Sequence, residues 1–154
     1  MPDLSFKIEG LEALLAKLKP ELVAGPVKKF LMDASLYVEG QAKRRTPVDT
    51  GRLRASITHE IDASPMPLFG KIGTNVFYAP YVEFGTRPHF PPPGALDVWA
   101  SRHGFPNGFV VARAISRAGT RGRHMFEQGL EASKGKIGEL LDVCATAIMT
   151  RWKS

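Results

Sequence analysis

The feature that most constrains this chain is a helix that is forced to stop. Val27, Phe30, Leu31, Ala34, Val38 and Ala42 recur at helical period, with Lys28, Lys29, Asp33 and Gln41 on the opposite face. This stripe predicts a helix over residues 26–45, opened by Pro26 after Gly25. It ends at Thr46-Pro47, because the residue before a proline is pushed out of the α region. Val48-Asp49-Thr50-Gly51 then reads as a turn: Asp49 can bond the backbone two residues on, and Gly51 can take positive φ. Pro47, Asp49 and Gly51 are therefore structural turn residues. Beyond them Leu53, Ala55, Ile57, His59 and Ile61 alternate with Arg52, Arg54, Ser56, Thr58 and Glu60, the period-two pattern of a half-buried strand. On that reading Arg52 and Arg54 point outward. Ser64-Pro65-Met66-Pro67 breaks the strand, and residues 68–76 return as its antiparallel partner, weakened or bulged at Gly70 and Gly73.

The flanks add helices. Leu11, Leu14, Leu15, Leu18 and Leu22 form an apolar helical face that Pro20 interrupts or restarts. After the strands, residues 77–86 are dense in aromatics and fit either a third strand or a short helical turn from about Pro80 to Gly85. Residues 87–94 carry three consecutive prolines and form a stiff spacer. Two short helices come next. One runs through residues 95–100 and ends at His103-Gly104, with Leu96 and Trp99 inward; the other covers 109–118 and stops at Gly119. The link between them, about nine residues from Ser101 to Phe109, is too long for a helix-turn-helix DNA reader. Gly119-Thr120-Arg121 echoes Gly85-Thr86-Arg87, which suggests two loops with a similar job. Phe126, Leu130, Ile137, Leu141, Cys144 and Ile148 mark a last helix over about 125–152, softened by Gly129, Gly135 and Gly138, that either docks or swings out. The fold class is α+β: a long N-terminal helix packed on a small antiparallel β-sheet, with additional short helices and a C-terminal helix. At 154 residues this is one domain, with its core over about 11–130.

The sequence holds little catalytic chemistry. It has no phosphate-binding glycine loop, no His-Glu-x-x-His and no Gly-x-Ser-x-Gly. His59, His89, His103 and His124 lack ligand spacing, so no metal and no cofactor is expected. Cys144 stands in an apolar run, without a basic neighbour, as a buried hydrophobe. His59 falls on the inward parity of its strand and reads as a satisfied or sheet-edge histidine. Asp49 and Glu83 could form an acid pair, but a turn former and a salt-bridge partner of Arg52 or Arg87 are simpler roles. No run approaches the ~18 apolar residues of a membrane span, and the N-terminus has no secretory pattern. Net charge is +6, which favours an acidic partner. Two basic clusters stand out: Lys43, Arg44, Arg45, Arg52 and Arg54, and Arg113, Arg117, Arg121 and Arg123. The first is either an ordinary cationic helix ending or a surface for DNA or a partner.

Two motifs, in this order and after one long helix, carry a resemblance. Thr46-Pro47-Val48-Asp49-Thr50-Gly51-Arg52-Leu53 and Tyr78-Ala79-Pro80-Tyr81-Val82-Glu83-Phe84-Gly85-Thr86, with a proline-bearing loop after them, resemble the neck or tail-completion proteins of tailed bacteriophages, the small lambdoid minor tail components. The later Arg123-His124-Met125-Phe126 is similar to the segment before that family's final helix. The likeness covers about 11–130, and the stretch 91–119 is longer than in a minimal member. It implies a structural protein without enzymatic activity, which completes the tail end and joins it to the head as part of an oligomeric ring. The implied partners are further copies of itself, head-completion proteins, and tail-tube or tail-terminator proteins. DNA passing through the neck, met without sequence preference, is a further one. It implies a place in the virion neck, after assembly in the host cytoplasm. Within that frame Tyr78, Tyr81, Glu83, Phe84, Arg87 and Phe90 are the expected subunit contacts. Lys43, Arg44, Arg45, Arg52 and Arg54 face DNA or a partner. The alternative is a small basic nucleic-acid-binding domain without catalytic activity.

Overall fold

The computed structural model describes residues 4–6, 20–62 and 69–153. The expected leucine face from Leu11 to Leu22 and the breaker at Ser64-Pro67 lie outside the described residues or side chains. Everything is arranged around one helix, α1 (Pro20–Arg45). All six stripe residues from Val27 to Ala42 are buried. The helix begins earlier than its stripe and runs through Pro26 instead of starting there. A proline inside a helix costs about 3 kcal/mol, and the burial of Val23 and Val27 on either side of Pro26 opposes that cost.

Gly51, at φ 81°, does hold the turn, but the residues after it do not start a strand. Residues Arg52–Ser56 form a helical turn, α2, and only Thr58–Asp62 is strand, β2. Leu53 and Ile57 are both buried whereas Ala55 between them is exposed, so the local period is four and not two. Ser56 secures the end of α2, its hydroxyl donating to the Leu53 carbonyl at 2.8 Å. β2 pairs antiparallel with β3 (Phe69–Gly73) in unbroken register from Thr58↔Gly73 to Asp62↔Phe69, so neither glycine makes a bulge. β3 is the central strand, because β1 (Leu4–Phe6) pairs with its other edge.

The last helix is two. α6 (Met125–Glu131) and α7 (Lys134–Lys153) are separated by a turn at Ala132 and Ser133. Ser133 is buried and its hydroxyl donates to the Gly129 carbonyl at 2.7 Å, which holds the bend. Gly135 and Gly138, expected to soften the helix, are exposed and lie within α7. Beyond the bend the inward face is carried by Leu140 and Cys144, and Leu141 is exposed. Both helices dock on α1. Its N-terminal half meets Cys144 and Ile148 of α7 in one core cluster. In the second cluster its C-terminal half, through Val38 and Ala42, meets Leu53, Ile57, Ile72, Met125 and Phe126.

Between the sheet and α6 lie α3 (Ala79–Phe84), β4 (Gly85–Thr86), α4 (Asp97–Arg102), α5 (Gly108–Ala118) and β5 (Thr120–Arg121). α4 and α5 pack on each other as a hairpin. Its seam is small: Ala100, Gly108 and Ala112 are buried, and Leu96 and Trp99 only half-buried. Trp99 stacks instead on His103, at 4.1 Å between ring centroids, and on Phe105. Asp97 accepts a hydrogen bond from the Gly108 amide at 2.9 Å, and Asn107 caps α5 through the Val110 amide. The link is His103–Asn107, shorter than the nine residues counted from Ser101 to Phe109: α4 ends at His103 as expected, and α5 starts one residue early, at Gly108.

Candidate functional site

Residues 78–90 form the segment expected to make contacts. It takes the helical alternative: Pro80 stands in the first turn of α3, where its missing amide costs nothing, and Gly85 ends the helix. Two faces result. Ala79 and Glu83, four residues apart, are buried. Tyr81 is 59% exposed, Phe84 68% and neighbouring Phe77 79%. Three large aromatics within one short segment are thus exposed, a local concentration that marks a candidate interaction surface. Tyr78 packs half-buried against the core and edge-on to Phe77, so it supports the patch from beneath. Arg87 is exposed, and Phe90 is exposed with its ring 5.9 Å from that of Phe109.

Glu83 is not a surface contact. It is 3% exposed, and its carboxylate accepts hydrogen bonds from the amides of Phe126 at 3.2 Å and Glu127 at 3.3 Å. It caps α6. The backbone continues the link: the amides of Arg123 and His124 donate to the carbonyls of Val82 and Glu83. The expected salt bridge of Glu83 to Arg52 or Arg87 does not form, its carboxylate being taken by the two amides. The Asp49 carboxylate accepts from Arg102 of α4 at 2.5 Å, and the turn is assisted by Thr50, whose hydroxyl accepts from the Arg52 amide.

The two Gly-Thr-Arg copies find each other. β4 and β5 pair antiparallel, Gly85↔Arg121 and Thr86↔Thr120, with the threonine hydroxyls 3.1 Å apart. Gly119, at φ 70°, lets its chain pass so close that a Cβ there would stand 2.0 Å from the Thr86 carbonyl oxygen. This ribbon closes the base of the α4–α5 hairpin.

The basic cluster at the end of α1 is largely used internally. Lys43 pairs with Glu39, Arg45 bonds Gln41, and Arg54 donates to the Thr46 carbonyl at 3.0 Å. Arg44 and Arg52 are exposed. Arg52 and Arg54 sit on α2, not on the outer face of a strand. Most of this cluster therefore fits a cationic helix ending.

His59 faces α1 and contacts Glu39, which lies between it and Lys43. Burial pushes the Glu39 carboxyl up, but hydrogen bonds and charge from His59 and Lys43 outweigh it and hold the group below its ordinary 4.5. A depressed carboxyl stabilises the fold above its unfolded pKa, and that contribution is lost as pH falls through the folded value. Glu39→Gln is thus expected to cost about 1 kcal/mol at pH 7 and nothing once the pH lies well below 4.5. Urea titrations of both proteins at the two pH values check this; a difference independent of pH would show that the charge is idle.

Burial raises the Cys144 thiol, as suits a packed hydrophobe and not a nucleophile. A shallow open groove of about 340 Å³ between α1 and α7 is lined by Asp33, Leu36, Tyr37, Arg44, Lys136 and Leu140, a set with no nucleophile–base pair. Among the described residues no three His, Cys, Asp or Glu side chains gather as a metal site, and no helix is long and apolar enough to cross a membrane.

Neither the curated proteins nor the solved structures show a significant match to this chain. A family model does. The model described as "Bacteriophage HK97-gp10, putative tail-component" matches residues 9–85. That span holds α1, the turn at Gly51, the β2–β3 pair and the aromatic helix α3, and ends before the α4–α5 hairpin. With half its length so matched, the chain belongs to the HK97-gp10-like family of bacteriophage tail components.

Proposed function

We propose that the protein is a structural subunit of the phage neck, which completes the tail end and joins it to the head as one member of a homo-oligomeric ring. It works in the virion, without catalysis, against head-completion proteins on one side and tail-tube or tail-terminator proteins on the other. The observation that carries this reading is the concentration of solvent-facing aromatics within the family span. Phe77, Tyr81 and Phe84 are exposed on a segment whose other face is locked into the core through Glu83. A ring needs a patch that meets a different face of the next subunit, and exposed aromatics flanked by Arg87 and Phe90 have the composition of such a contact.

The test is self-association. The purified protein is expected to run as an oligomer in light-scattering chromatography. Tyr81→Glu/Phe84→Glu should run as a folded monomer with unchanged circular dichroism. A phage carrying the double variant should accumulate filled heads and separate tails. A wild-type protein that stays monomeric at every concentration, or normal infectious particles from the variant, would rule out the ring through this face.

A further inference from the structure

The charge of the chain is not spread over it. Residues 87–123 contain Arg87, Arg102, Arg113, Arg117, Arg121 and Arg123, no lysine, and Asp97 as the one acid. This segment therefore holds five of the six net positive charges. Its single carboxylate is engaged with the Gly108 amide, and Arg102 is engaged by Asp49 from outside the segment. The other five arginines are exposed, and their side chains have no hydrogen-bond or ion-pair partner among the described residues. Arg113 and Arg117 share the outer face of α5, opposite buried Ala112. Arg121 lies in the ribbon, Arg87 extends its other strand across from Gly119, and Arg123 comes directly after. Cations four apart on a helix repel each other with no compensating acid. The arrangement costs the free protein stability and waits for an anion.

We propose that this arginine edge binds the phosphate backbone of double-stranded DNA without reading its sequence. A group of exposed, unpaired cations of one sign suits a polyanion of uniform charge. An acidic protein face would match this sign too, but five unpaired arginines with no free carboxylate among them fit a polyanion of repeating phosphates best. Arginine forks engage phosphate oxygens two at a time. The cluster at the end of α1 is the weaker candidate, since Lys43, Arg45 and Arg54 are occupied by Glu39, Gln41 and Thr46. The proposal does not rest on the ring: a monomer with this edge would still bind DNA, and a ring without it would still assemble.

Fluorescence anisotropy on a labelled mixed-sequence duplex tests it. Contacts from about four arginines give a slope of about −4 for log affinity against log salt. Arg113→Glu/Arg117→Glu is expected to lose at least about tenfold at moderate salt and to flatten the slope by about two. Arg113→Lys/Arg117→Lys keeps the charge and should keep most of the affinity. Lys28→Glu/Lys29→Glu makes the same change in net charge at an exposed site on α1 and should lose far less. Matched thermal melts establish that each variant is folded. No duplex binding by the wild type at moderate salt, or equal losses in the two glutamate variants, would overturn the proposal. Displacement of the duplex by polyglutamate at equal charge would overturn it in favour of an acidic protein partner.

Discussion

Replacing Glu83 by alanine is expected to cost about 3 kcal/mol of folding stability. The first amides of any helix have no partner within it, and here two of them, from Phe126 and Glu127, point at the Glu83 carboxylate. The negative charge also sits at the positive end of the helix dipole. Alanine removes both acceptors at a site that is 3% exposed, so water cannot replace them cheaply. The loss does not stay local. Met125 and Phe126, the first residues of α6, are core members alongside Val38 and Ala42 of α1. Glu83→Gln keeps one oxygen but turns an NH2 group toward an amide, so it should lose about half as much. Arg87→Ala, on the exposed side, should stay within about 0.5 kcal/mol of wild type. Urea titration ranks the three. If Glu83→Ala proved no worse than Arg87→Ala, the cap would carry no weight and Glu83 would return as a candidate contact residue.

Legibility in the chain depended on the length of the pattern. The stripe from Val27 to Ala42 spans several helical turns, so its period is unambiguous, and every residue in it is buried. Leu53 and Ile57 are too short a sample. They fit a strand at period two and a helix at period four, and Ala55, the residue that decides, is small enough to sit on either side. The bend at Ser133 was hidden because a serine bonded to the carbonyl four residues back looks like ordinary helix interior until the chain turns. The two Gly-Thr-Arg copies were visible, but their pairing as β4 and β5 depends on a chain separation of 34 residues folding back. Glu83 lies 43 residues from the amide it caps, and no local spacing encodes that. Asp49 likewise had the signature of a turn former, while its partner Arg102 comes from the hairpin. Among the aromatics, Tyr78 is half-buried and Tyr81 exposed because Tyr78 precedes α3 and Tyr81 lies within it, so the helical period does not relate them. The family-bearing motifs were readable because each carries residues that set local backbone: Pro47 and Gly51 in the first, Pro80 and Gly85 in the second.

Gly129→Val should be as damaging as loss of the cap, by about 3 kcal/mol, for the opposite reason: it adds atoms where none fit. A Cβ at Gly129 would stand 2.9 Å from the amide nitrogen of Ala42 and 3.0 Å from its Cα. Those atoms belong to the backbone of α1, which both core clusters share, and cannot rotate away. Valine, branched at Cβ, cannot swing clear either, so α6 must lift off α1. Gly135→Ala supplies the contrast. It too is a helical glycine, but nothing lies within 4 Å of its Cβ position. There alanine only removes the helix penalty of glycine and should stabilise the protein by up to about 1 kcal/mol. Added side-chain carbon is thus expected to change stability in opposite directions at two nearby glycines of one docked segment. Because Gly129→Val and Glu83→Ala both release α6, the double variant should lose less than the two separate losses added together. Strict additivity in a double-mutant cycle would mean that the cap at Glu83 and the seat at Ala42 hold α6 independently. A stable Gly129→Val protein would mean that α6 does not need that seat at all.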